Sequence, residues 1–319
     1  MEYARKTRSF EVGPTAYERN GNAMSKKRMI ILIIAAFCVN PACGEKSTEP
    51  EPFPRTLMLD YGAVWSEAHD LIAYFHNRIP ESDDPDSSGI YVIRPDGTEK
   101  RLIYKSIFIF GLDWSNDGNW IITDSGNMLV KISYPGEVAD TLTGTGKYFF
   151  PVWSPNGQNI LYMIHAGDDR GVYLIDSNGN NNRLVIPYGM NADWPYIDSL
   201  LYLNFDSDFT VGSLYLADTA DFYRREFYPN DTRFVKGTVK PKMDVNSARV
   251  VFHAQMPGEP ESLWKLENGF VHAVRMKSFA NYPNLSPNGE MIIFTDTHED
   301  NGRLWIMNWD GTELRQLTY

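Results

Sequence analysis

Phe149-Phe150-Pro151-Val152-Trp153-Ser154-Pro155-Asn156-Gly157 is the stretch that decides the fold. Its first half is an extended aromatic run. Its second half is a tight turn, because Pro presets the first turn residue and Asn and Gly tolerate positive φ. Downstream of the turn the chain reads as a second strand (Asn159 to Ile164), a polar loop from His165 to Gly171, a third strand (Val172 to Ile175), a turn at Ser177-Asn178-Gly179, and a fourth strand (Arg183 to Ile186). These four strands are a, b, c and d.

The same phrase stands at Val64-Trp65-Ser66 and Asp113-Trp114-Ser115, and in worn form at Asp193-Trp194-Pro195, Lys242-Met243-Asp244 and Asn284-Leu285-Ser286-Pro287-Asn288-Gly289. Its anchors are 65, 114, 153, 194, 243 and 285, so the steps are 49, 39, 41, 49 and 42 residues. The c–d turn recurs as Pro95-Asp96-Gly97, Pro135-Gly136, Asn268-Gly269 and Asp310-Gly311, and strand c as Ile90 to Ile93, Leu214 to Leu216, Leu263 to Leu266 and Leu304 to Met307. β-Branched and aromatic runs bounded by turn residues are strand and hairpin signals. No stretch beyond residue 44 sustains a helical apolar period. A long repeat period with four strands per unit predicts an all-β, six-bladed β-propeller of four-stranded antiparallel blades. The expected blades are about 54–104, 105–144, 145–187, 188–229, 230–276 and 277–319. Ring closure has two readings: residues from Arg55 to Leu59 add to the last blade, or Leu314 to Thr318 already complete it.

Trp153-Ser154-Pro155-Asn156-Gly157, together with Asp310-Gly311 and the closing Arg315-Gln316-Leu317-Thr318, resembles the TolB-type propeller repeat. The resemblance covers roughly residues 55–319 and the propeller part alone.

The N-terminal region reads as an address. Lys26-Lys27-Arg28 is a basic head, and Met29 to Val39 is an apolar run of 11 residues. Such a run is too short to span a bilayer, which needs about 20 residues, and fits a secretory signal peptide. Residues 1–23 are an upstream extension, with Met24 the expected start. Ala42-Cys43, followed by a polar stretch, resembles a bacterial lipoprotein processing site, which implies lipidation of Cys43 and a tether over 43–53. Asn40 and Pro41 depart from the usual residues before that cysteine. The other cysteine, Cys38, falls in the apolar run, so the exported domain is expected to have no disulfide.

Charge excludes one partner class. The chain has 30 basic and 41 acidic residues; without residues 1–42 it has 23 against 38. A nucleic-acid binder needs a basic footprint. An acidic domain favours cationic partners or metal ions.

Three groups of side chains are candidate sites. In a propeller the b–c and d–a loops share one face, and the b–c loops here carry Glu81, Asp83, Asp84, Asp86, Asp168, Asp169, Asp206, Asp208, Glu259, Glu261, Asp296, Glu299 and Asp300. They make that face a candidate docking surface for a basic partner, with solvated loop charge as the plain alternative. Asp113, Asp193, Lys242 and Asn284 precede their anchors, with Lys240 close by, and are candidates for lining the central channel. His76 and His253 share one position past strand b, where Asp124, Asn204 and Thr295 stand elsewhere, and His165 lies one step further on. Converging histidines would hold a divalent metal, as in propeller lyases that act on acidic sugars; hydrogen-bonded structural histidines are the plain alternative.

Catalytic signatures are absent: there is no Gly-x-Ser-x-Gly elbow, no His-Glu-x-x-His and no phosphate loop. The expectation is a non-catalytic, monomeric, cofactor-free binding or scaffold protein of the cell envelope. Its partner would be an envelope protein or peptide, and its only membrane contact the lipid. The alternative is a metal-dependent, lyase-like propeller enzyme acting on anionic polysaccharide.

Overall fold

Twenty-four strands in six four-stranded antiparallel sheets account for the regular structure of the described residues. The computed structural model describes residues 57–79, 87–165, 167, 169–205, 212–228, 241–244, 249–267, 272–298 and 302–319. The expected signal peptide, Cys43 and the tether lie outside them.

Each sheet is one blade built from four consecutive strands. The first is β1 (Leu57–Trp65), β2 (Ile72–Ile79), β3 (Gly89–Ile93) and β4 (Arg101–Lys105); the second is β5 (Ile109–Trp114), β6 (Trp120–Ser125), β7 (Met128–Ser133) and β8 (Ala139–Thr141). The third is β9 (Phe149–Trp153), β10 (Asn159–Ile164), β11 (Gly171–Asp176) and β12 (Arg183–Pro187); the fourth is β13 (Gly189–Tyr196), β14 (Ser199–Phe205), β15 (Gly212–Asp218) and β16 (Arg224–Tyr228). The fifth is β17 (Lys242–Met243), β18 (Val250–Ala254), β19 (Ser262–Glu267) and β20 (His272–Ser278); the sixth is β21 (Ala280–Leu285), β22 (Met291–Asp296), β23 (Arg303–Asn308) and β24 (Arg315–Gln316). The all-β six-bladed propeller expected from the repeat is the fold observed.

Strand b of each blade is buried on both faces, so its side chains alternate between two neighbours. Ile121 joins the core shared with blade one, beside Val64 and Phe75. Ile122, the next residue, joins the core shared with blade three, beside Trp153 and Ile160. Leu161 and Leu200 meet between blades three and four, Leu201 and Val250 between four and five, Val251 and Ile292 between five and six, and Ile293 and Ile72 between six and one. Successive residues of a strand point to opposite faces, which is why these runs are apolar without alternation.

The anchor tryptophans explain the repeated phrase. Trp114, Trp153 and Trp194 each pack into the seam with the preceding blade. Trp65 lines the seam between blades six and one. None of their four indole N–H groups has a hydrogen-bond partner, so these rings act as apolar filling. The residues after the anchor close the a–b hairpin. The Ser154 hydroxyl donates to Asn156 Oδ1 (2.8 Å) and accepts from the Asn159 N–H (2.9 Å), and Gly157 turns at φ +68°. Ser115 with Asp117 and Ser286 with Asn288 repeat this arrangement.

Among the described residues, closure uses no strand exchange. β1 is the innermost strand of the first blade, and β24 completes the sixth. Of the two closure readings, the described residues fit the second; Arg55 and Thr56 lie outside them. The seam is held by Asp60 N–H donating to Gly302 O (3.0 Å), Arg303 Nη1 donating to Met58 O (2.9 Å) and Thr295 Oγ1 donating to Asp60 O (3.1 Å).

Candidate functional site

A bulge in the innermost strands shapes the channel. Pairing with strand b slips between Tyr61 and Val64, Ile109 and Leu112, Met190 and Asp193, and Asn281 and Asn284; in blade three it slips between Leu161 and Met163 of β10, opposite Val152 and Phe149. Three residues before the anchor, Gly62, Phe150, Asn191 and Tyr282 have φ of +65°, +51°, +48° and +49°. Left-handed backbone is unfavourable for bulky residues and needs surrounding contacts to hold it. Phe150 packs with Met163 and Met190, and Phe110, Phe149 and Tyr282 pack against that group. These side chains come from blades two, three, four and six, so the cluster crosses the ring axis. Tyr61 extends it, its ring 5.7 Å from that of Tyr282. The channel mouth on the b–c and d–a face is therefore apolar and aromatic.

The residues just before the anchors lace one blade to the next. Asp113 of blade two accepts from the Trp153 N–H (2.8 Å), and Asp193 of blade four from the Met243 N–H (2.9 Å). Asn284 of blade six lies 3.5 Å from the Trp65 N–H. Lys242 is bound to Asp193 at 2.7 Å, the two side chains being 11% and 8% exposed. Burial alone would pull the Lys242 ammonium down, but Asp193 and Asp113 together hold it above the usual lysine value. Lys240 lies outside the described residues.

The position past strand b does similar work. Asp124 accepts from the N–H groups of Phe110 (2.6 Å) and Gly111 (3.2 Å) in its own blade and of Phe150 (2.9 Å) in the next. His253 Nδ1 accepts from the Tyr282 N–H (3.3 Å). His76 Nδ1 lies 2.6 Å from Asp60 Oδ1, whose other oxygen is 3.5 Å from Arg303 across the closing seam. His76 Nε2 is buried and unpartnered. His165 is exposed. Sequence reasoning placed Asp124 in the histidine column but missed the left-handed residues; Gly62, in the same column as Phe150 and Tyr282 and itself left-handed, was the available signal.

Of the acidic loop residues, Asp169, Glu259, Glu261 and Asp296 are described. Asp169 is exposed, and its carbonyl accepts from the Tyr173 hydroxyl (2.7 Å). Asp296 is paired with Lys277 (3.0 Å). Glu81, Asp83, Asp84, Asp86, Asp168, Asp206, Asp208, Glu299 and Asp300 lie outside the described residues. Glu259 is paired with Arg275, and Glu261 meets His253 Nε2 at 3.5 Å and accepts from Asn281 Nδ2 at 3.2 Å. Burial raises its carboxyl to about 7, against the lowering effect of the Asn281 bond.

The histidines do not fit a metal centre as a set. Among the described residues, no group of three or more His, Cys, Asp or Glu side chains is placed to hold a metal ion. His76 and His253 each face their own carboxylate in blades one and five.

No protein-family profile and no curated protein sequence matches the chain. Solved structures do. TolB from Acinetobacter baumannii superposes with a TM-score of 0.67 at 14% identity, over 80% of this chain and 65% of that protein. This chain thus spans about two-thirds of its length. A TolB homologue from Agrobacterium tumefaciens gives 0.56 at 19% identity, over 69% and 84%. An oligogalacturonate lyase from Vibrio parahaemolyticus gives 0.53 at 13%, over 77% of each. At these identities the likeness is one of architecture. The chain folds as a TolB-like six-bladed β-propeller.

Proposed function

We propose that this propeller is a non-catalytic binding and scaffold module of the bacterial cell envelope. In this reading it is exported, anchored as a monomer through a lipidated Cys43, and engages a protein or peptide through the face that carries the b–c and d–a loops. The observation behind the reading is how its polar ring is used. Asp113, Asp193, Asp124 and His253 all accept backbone N–H groups of the adjoining blade. Side chains engaged in that way make a rigid support, and recognition falls to the loop face. There Tyr188 (51%) and Phe279 (39%) are exposed beside the aromatic mouth. Exposed aromatics on a rigid frame suit protein recognition.

The test is photo-cross-linking in cells. A photoreactive residue at Tyr188 or Phe279 should give a discrete adduct, and one at Asn178 or Asp310, on the opposite face, should not. Adducts confined to the opposite face, or none from either, would overturn the reading.

One observation favours the metal-dependent enzyme. A carboxylate on His76 Nδ1 leaves Nε2 as a lone pair, the arrangement often used to orient a metal ligand. Stoichiometric metal in the purified protein, lost in His76→Ala, would replace the scaffold reading with that one.

A further inference from the structure

Glu261 stands where blades five and six meet the channel mouth, at the end of the loop before β19. Its surroundings are unusually specific. The Tyr282 N–H donates to His253 Nδ1, which makes Nδ1 the lone-pair nitrogen and puts the ring proton on Nε2, facing Glu261 Oε1. Asn281 Nδ2 donates to the other carboxylate oxygen. Asn281 is 4% exposed, and its Oδ1 has no hydrogen-bond partner. A buried acceptor left without a donor keeps its full desolvation penalty, which a donor brought by a ligand would relieve.

The cations nearest in the fold are already committed. Lys277 is paired with Asp296, and Arg275 with Glu259. His253 faces Glu261 from β18, and no other charged group bonds its carboxylate among the described residues. Glu261 is open to solvent on one side, its side chain 26% exposed. The Tyr282 ring lies 5.6 Å from the ring of His253, the residue that faces Glu261, and the Tyr61 ring lies 5.7 Å from that of Tyr282. The site therefore offers a negative charge and a vacant acceptor in one place, with aromatic rings next to the histidine that faces them. A cation that carries N–H donors answers all three: it neutralises the carboxylate, donates to the orphaned oxygen and lies against ring faces. The excess of acidic over basic residues favours the approach of such a group.

We propose that Glu261, Asn281 and the Tyr282–Tyr61 pair recognise a primary ammonium group of a docked polypeptide. The ammonium donates to the Glu261 carboxylate and to Asn281 Oδ1, and its carbon stem lies on the tyrosines. This rests on the reading of the loop face as the partner-binding face. It also makes binding depend on pH. Burial keeps the Glu261 carboxyl near 7, so protonation removes the counter-charge as pH falls through that value.

The experiment titrates the full chain with four probes and follows the Asn281 side-chain amide by NMR. Nα-acetyl-lysine methylamide carries a side-chain ammonium, and alaninamide an amino terminus. Nα-acetyl-norleucine methylamide has the stem without the charge, and tetramethylammonium the charge without N–H donors. One or both of the first two should shift the amide saturably, which also identifies the source of the ammonium. The other two should not. Affinity should fall by about tenfold for each pH unit below the Glu261 value. Glu261→Gln should abolish that pH dependence and weaken binding by about tenfold or more. Equal binding of the norleucine compound, an unaltered Glu261→Gln profile, or no response to either amine would each overturn the proposal. The probe series needs no variant, so a folding defect in Glu261→Gln does not block the test. Cross-linking at Tyr188 or Phe279 that succeeds while the amines fail would sink this site and leave the docking face standing.

Discussion

Replacing Asp193 with asparagine should destabilise the ring more than removing the whole ion pair. The side chain bonds two groups of blade five, the Lys242 ammonium at 2.7 Å and the Met243 N–H at 2.9 Å. Asparagine can keep an oxygen on the N–H but leaves Lys242 buried with Asp113 as its remaining counter-charge. Removing one partner of a buried pair costs about 3–5 kcal/mol, and the Asp113 charge places this case at the lower end, about 3 kcal/mol. For a domain of this size that corresponds to a fall in Tm of roughly 6–12 °C. Adding Lys242→Met removes the stranded charge, and the double variant should return to within about 1–2 kcal/mol of the parent. The assay is urea unfolding followed by tryptophan fluorescence. Alkaline pH gives an independent arm. The Lys242 pKa is raised above 10.5, so its stabilisation is complete below that value and is lost as pH climbs through the raised one. The gap between parent and Asp193→Asn should therefore close at strongly alkaline pH. A double variant no more stable than Asp193→Asn would refute the reasoning, and so would a gap that does not narrow.

Two further predictions concern packing. Trp153→Phe should cost only about 1–2 kcal/mol, because the indole N–H it removes has no acceptor, whereas Trp153→Ala should cost about 3–5 kcal/mol; equal losses by thermal denaturation would contradict the apolar role of the ring. Gly111→Ala should be worse than Gly157→Ala, since a Cβ at 111 would meet the Phe150 Cα at 2.7 Å, while one at 157 meets nothing within 4 Å and bears only the strain of φ +68°, about 1–2 kcal/mol. The Tm order of those two alanine variants checks this.

The repeated phrase made the blades legible because each anchor fills a seam, and a seam that recurs leaves an aromatic residue at a recurring position. The bulge was not legible. Local preference argues against left-handed backbone at Phe150 and Tyr282, and the packing that imposes it comes from other blades. The polarity of the Asp113, Asp193 and Asn284 column could be read directly, but its bonding could not. The donors stand on the following blade: 40 residues on for Asp113 and 50 for Asp193. His76 and His253 suggested a metal by residue type. The members of their column share the capacity to hydrogen-bond, which Asp124 and Thr295 supply equally well. Glu261 was legible only as one more acidic loop residue, because its environment is made by β18 and β21 closing around it.

The two-faced burial of strand b determines which substitutions can compensate one another. Ile121 and Ile122 are adjacent in the chain, yet they belong to different seams, one shared with Val64 and the other with Trp153. Volume lost at Ile122 can be refilled from blade three but not from its own neighbour Ile121. Compensating pairs should thus skip roughly one repeat along the chain while neighbours change independently. A library designed on sequence windows would mix unrelated seams. One designed seam by seam would vary six separable cores, each contributed by two blades.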